Sequence, residues 1–138
     1  MRRLRQIVNV SFVTTVLTLF GATAHAQYGQ PGGPYQPDSV SAVIDRVHSD
    51  LNRGYDVWRL PSGDRERLDK AGKQLREFAS NWRKGKFDKG DLDDAIGAIQ
   101  KVVDKNRLAG VERDALWSDV EQLRQMREAY NRHEIGRW

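Results

Sequence analysis

The sequence predicts an all-α fold, an up-down antiparallel four-helix bundle built from two similar helical hairpins. Three observations point there. Apolar residues recur at steps of three and four in four separate stretches, the period of one helix face. Glycine, proline and asparagine punctuate those stretches at short intervals. The pattern R-L-x-x-x-[DE]-R-[DE]-x-L also occurs twice, as RLPSGDRERL at 59–68 and RLAGVERDAL at 107–116, an offset of 48 residues.

The chain opens on MRRLRQIVNVSFVTTVLTLFGATAHA. Arg2, Arg3 and Arg5 give a basic start, an apolar run follows from Ile7 to Phe20, and Ala24 and Ala26 fit the A-x-A cleavage pattern. A cleavable signal peptide is therefore predicted over 1–26, with cleavage after Ala26. The run is short for a membrane span and is interrupted by Asn9, Ser11, Thr14 and Thr15. The expected location is periplasmic or secreted, with no integral membrane segment after cleavage. Export implies an oxidising compartment, yet the chain has no cysteine, so neither a disulfide nor an acyl anchor can form. Residues 27–37, QYGQPGGPYQP, have no hydrophobic period and read as a disordered Gly/Pro/Gln/Tyr-rich spacer. The helical domain is expected over 38–135.

In the first helix Val40, Ile44, Val47, Leu51, Tyr55 and Trp58 form the inward stripe, with Asp38 or Ser39 as N-cap. Gly54 lies within that stripe and is a candidate break. Pro61 disfavours helical geometry at Leu60, so a second helix begins with Ser62 as N-cap. Its stripe, Leu68, Ala71, Leu75, Phe78 and Trp82, is a narrow seam suited to coiled-coil-like packing, and Gly85 is placed to stop the helix in the left-handed conformation.

The stretch FDKGDLDDAIGAIQ, 87–100, contains four aspartates near two glycines. A calcium loop counted from Asp88 lacks the glycine at its sixth position and has Ile99 where a bidentate Glu belongs. The stretch fits a helix start better. Asp88 serves as N-cap, Phe87 and Leu92 are spaced as a hydrophobic staple, and Asp91, Asp93 and Asp94 lie where the helix dipole favours negative charge. This third helix continues through Ala95, Ile96, Ile99, Val102 and Val103 to Asn106, expected in the left-handed conformation. The fourth carries Leu116, Val120, Leu123, Met126 and Tyr130 and fades near His133.

At the offset of 48, Ile44 falls on Leu92, Leu51 on Ile99, Tyr55 on Val103, Leu75 on Leu123, Phe78 on Met126 and Trp82 on Tyr130. Equivalent apolar positions imply equivalent inward faces, and short connections make consecutive helices antiparallel neighbours. The surplus of burial over ordering is thin for a chain of this size, so a homodimer through leftover apolar surface is compatible with the sequence.

Charge narrows the functional classes. Three of the 23 basic side chains lie in the leader, so residues 27–138 carry 20 bases against 19 acids, a net charge of +1. Nucleic-acid binding needs a concentrated basic surface, which this balance disfavours. Nucleophilic catalysis has no cysteine, and no serine sits on a glycine elbow with a paired histidine. Asp45 and His48 share a helix face at i and i+3, and His133 suits a helix C-terminus as a cation. Met126 with a histidine would be the Met/His axial choice for haem, and no C-x-x-C-H attachment exists. The sequence thus nominates no catalytic residue, no cofactor and no metal site.

Two features suggest contacts. Arg83, Lys84, Lys86 and Lys89 concentrate in the turn WRKGKFDKG; they complement a helix C-terminus, or form an anion-binding tip for lipid head groups or cell-wall polymer. Trp117 follows Leu116 beside the seam; it either broadens the core stripe or contacts a partner. The expected function is an exported, non-enzymatic helical interaction or structural protein of the cell envelope or exterior, with an unknown protein or envelope surface as partner. A periplasmic holdase chaperone, requiring a concave apolar patch, is the first alternative. A small metal- or ligand-binding bundle, requiring a polar cluster with His48 inside the core, is the second. In architecture the chain resembles the periplasmic stress chaperones of the Spy and CpxP type. Their two L-T-x-x-Q motifs are replaced here by LPSGD and LAGVE, so the resemblance assigns no site residue.

Overall fold

The computed structural model describes residues 35–55 and 60–135. The predicted leader, residues 27–34 of the spacer, and Trp58 and Arg59 lie outside them. The described residues form four helices: α1 (Pro37–Arg53), α2 (Ser62–Arg83), α3 (Lys89–Lys105) and α4 (Gly110–Asn131). Each packs on the two beside it, closing a ring in the order α1, α2, α3, α4. Cross-helix bonds fix the directions. Trp82 near the end of α2 bonds Ser41 near the start of α1, and Arg127 near the end of α4 pairs with Asp93 near the start of α3. The result is the expected antiparallel four-helix bundle. Among the described residues no helix is long and apolar enough to cross a membrane.

Apart from Tyr55 and Tyr130, which are 36% and 37% exposed where the sequence predicts burial, the predicted stripes face inward among the described residues. Val40, Val47, Leu68, Ala71, Leu75, Phe78, Leu92, Ile99, Val102, Leu116, Val120, Leu123 and Met126 are fully buried in one continuous core. Burying an aliphatic side chain of this size contributes about 1.5–3 kcal/mol, so the common inward face holds the bundle together. The repeat is visible in the helices. α2 and α4 each have 22 residues and begin 48 apart, each with an acid at its third position, Asp64 and Glu112. Their ends match as well. Gly85 (φ 77°) and His133 (φ 60°), again 48 apart, both adopt the left-handed conformation. In both turns the next residue donates back to the third-last helical carbonyl, Lys86 to Asn81 (3.0 Å) and Glu134 to Ala129 (2.8 Å). This is a Schellman closure used twice.

The helix starts are partly as expected. Asp88 is the N-cap of α3, its Oδ1 accepting from the Asp91 amide at 3.2 Å. Elsewhere the expectation needs correction. The N-caps of α1 and α2 are Gln36 and Pro61, neither capping through its side chain. Asp38, Ser39 and Ser62 are already helical, because Pro37 and Pro61 set the chain direction one residue earlier. Ser39 instead donates to the Gln36 carbonyl at 2.7 Å.

The two halves differ at α1. It stops at Arg53 with Gly54 as C-cap, whereas α3 continues a turn further through Val102 and Val103. Gly54 sits against α2, where an added Cβ would lie 3.0 Å from Leu68 Cδ2 and 3.1 Å from the Leu51 carbonyl oxygen. Tyr55 consequently falls outside the helix and is 36% exposed, which corrects its placement on the core stripe. Its hydroxyl donates to Asp69 on α2 at 2.6 Å. Asn106 also departs from expectation, with φ −82° and ψ 151°, an extended conformation.

Candidate functional site

One end of the bundle gathers the start of α1, the α2–α3 turn and the end of α4. Phe87 stacks on Tyr130 (ring centroids 4.2 Å, planes 10° apart) and meets Phe78 and Trp82 edge-on. Tyr35 and Ile135 pair through a single parallel bridge beside this cluster. On this end lie the four cations of the predicted tip. Arg83 and Lys84 border a depression of about 470 Å³ shared with Pro37, Asp38, Ser41, Trp82 and Gly85. Lys86 turns instead to Asp88, its Nζ 2.7 Å from Oδ2. That pairing raises the Lys86 ammonium and lowers the Asp88 carboxyl from their ordinary values, in each case chiefly through the shared hydrogen bond. Lys89 is exposed at the first position of α3 and does not line the depression. The structure thus brings Arg83 and Lys84 to one rim, and sets Asp38 and Asp88 among the cations.

Trp117 lies on α4 and is 46% exposed, so it does not broaden the core. The Arg124 guanidinium carbon is 6.0 Å from its ring centroid, at the outer range of a cation–π contact. Arg124 is itself held by Glu121 (2.5 Å) and by Gln100 of α3 (3.2 Å). Val111, the most exposed of the described large apolar residues, lies earlier on the same helix.

The histidines do not form the cluster that a metal- or ligand-binding bundle requires. His48 is half-buried, with Nδ1 3.1 Å from Asn52 Nδ2, and Asp45 is exposed. His133 is exposed just beyond α4. No group of three or more His, Cys, Asp or Glu side chains able to hold a metal ion occurs among the described residues.

The structure adds two polar groupings that the sequence reading missed. At the end opposite the tip, Asp64, Asn106 and Arg67 form a network. Asn106 Nδ2 donates to the buried Asp64 carbonyl (2.9 Å), and its Oδ1 accepts from Arg67 Nε (2.6 Å). Asp64 accepts from Arg67 (2.5 Å) and from the Arg107 amide (3.0 Å). Arg113 adds bonds to the Val103 and Asn106 carbonyls, each 3.2 Å. The start of α2 is thereby tied to the turn between α3 and α4.

The second grouping lies midway along the α1–α4 seam. Asp119 of α4 is 1% exposed, and its Oδ1 accepts from Arg46 Nη2 and Nε of α1 at 2.7 and 2.9 Å. Arg46 also reaches Gln122. Asp50, one turn along α1 from Arg46, is buried too, pairs with Arg53 at 2.9 Å, and lies close enough to Asp119 for the two carboxyls to interact. Burial pushes the Asp119 carboxyl up to about 6, against the pull of Arg46 and with Asp50 adding to the rise. A signal for this acid was present. Asp119 stands where the repeat has Ala71, and it is three residues after Leu116 on the inward seam.

No protein-family model, curated protein or solved structure matches the chain.

Proposed function

We propose that the protein is an exported, non-enzymatic helical interaction protein of the cell envelope or exterior, and that it meets a protein partner through the outer face of α4. The single observation that carries this reading is Trp117. A tryptophan left half in water keeps a large apolar area available, and tryptophan is enriched among the residues that dominate binding energy. Its neighbour Arg124 is already ordered by Gln100 and Glu121, which lowers the ordering cost of a contact there. The export half of the reading rests on the leader-like residues 1–26.

The experiment is site-specific photo-crosslinking in the native host. A photoreactive residue replaces Trp117 in one strain and Lys73, an exposed α2 residue, in another. The expected result is a discrete adduct from position 117 and none from 73, with Trp117→Ala weakening capture of the identified partner at least tenfold. Identical adducts from both positions, or capture unchanged by Trp117→Ala, would overturn the proposal.

A further inference from the structure

The pair Asp50 and Asp119 has no role in the contact just proposed, and its chemistry is unusual for a bundle seam. Two carboxyl groups, both more than nine-tenths buried, face each other from α1 and α4. Arg46 occupies Asp119 Oδ1 and Arg53 occupies Asp50 Oδ1. Asp119 Oδ2 is buried and has no donor if both carboxyls are ionised. A single proton between the two groups supplies that donor and removes one of two like charges held out of water.

We propose that Asp50 and Asp119 share one proton across the α1–α4 seam, and that this proton is an acid-set latch holding α1 onto the bundle. Glu112, two turns before Asp119 on α4, also has a buried carboxyl oxygen without a donor. α3, the second neighbour of α4, directs Asp93 to Arg127 and Gln100 to Arg124, both further along α4. α2, the second neighbour of α1, has its Asp69 on Tyr55. On α1, His48 lies against Asn52. From α1 the facing groups are therefore Arg46 and Asp50, with Arg53 on the latter. Arg46 and Arg53 are each about half exposed, so water weakens their compensation of the second negative charge.

The direction follows from linkage. In the fold Asp119 holds its proton more tightly than a carboxyl of ordinary value 3.8. The stabilisation is complete below that pH and is lost as pH rises through about 6. α1 is seated most firmly in mild acid and loosens above neutrality. The proton so sets how firmly Val47 and Leu51 stay covered.

Hydrogen exchange of the full chain, corrected for the intrinsic effect of pH, tests the latch. Between pH 5 and pH 8 the amides of α1 should lose up to roughly tenfold in protection, the factor that linkage gives over this range for a carboxyl at about 6 in the fold and 3.8 unfolded. The amides of α3 should lose less. Asp119→Asn places a permanent donor beside Asp50 and should abolish the pH dependence. Asp50→Asn makes the same prediction from the other side and serves if the first variant does not fold. Protection of α1 that is indifferent to pH, or an equal loss in a folded amide variant, would overturn the proposal.

Discussion

Replacing Asn106 with alanine tests whether a buried polar tie joins the two hairpins. Asn106 is 3% exposed and makes two bonds to α2. Losing the first leaves the buried Asp64 carbonyl without that donor, which costs about 1–3 kcal/mol. The second bond, to Arg67, is charge-assisted, but the Arg67 side chain is one-third exposed and keeps its pairing with Asp64. Water therefore replaces much of it, and the remaining loss is about 0.5–1 kcal/mol. The sum is about 1.5–4 kcal/mol, or roughly 6–20 °C in Tm for a domain of this size. Urea unfolding followed by circular dichroism at several concentrations gives the free energy directly. Asn106→Asp keeps an acceptor for Arg67 but removes the donor and sets a second carboxyl near Asp64, so it should cost at least as much. A loss below 1 kcal/mol for the alanine variant, with an unchanged denaturant slope, would refute the reasoning. It would show that the turn is held by its backbone conformation and not by this side chain.

Two further outcomes follow from local geometry. Gly85→Ala forces a side chain into φ 77° and should destabilise by about 1–2 kcal/mol in thermal unfolding; Gly85→Asn should lose less, as asparagine tolerates that region better. The Tyr55 phenol is pushed up to about 12, first by burial and then by its hydrogen bond to Asp69, so the neutral form is favoured in the fold and that preference is lost as pH rises through 12. Spectrophotometric titration should show a late tyrosine step near pH 12 that disappears in Tyr55→Phe.

The comparison of Asn106 with Asp88 shows where sequence reasoning reaches. Asp88 acts on an amide three residues away, so a short window contains both partners and the cap is legible. Asn106 acts on residues 39 and 42 positions away, and its side-chain chemistry alone suggested a left-handed turn that the chain does not adopt. Tyr55 and Trp117 show a different limit. Periodicity marks the middle of a buried stripe, but its edges depend on how close the neighbouring helices come. Tyr55 slipped off because Gly54 ends α1 against Leu68, and Trp117 stays 46% exposed beside the fully buried Leu116.

The amino-acid order by itself determined the helical class, the inward stripes, the Asp88 start and the Gly85 stop, since each is written in residues within one or two turns of one another, and it determined the duplication through a pattern that recurs 48 residues on. The tertiary structure decided which polar groups are buried and whom they meet: Asp50 with Asp119, Asp64 with Asn106, and Phe87 with Tyr130. Those pairings depend on distances between helices, which arise only when four separate stripes close on a common core.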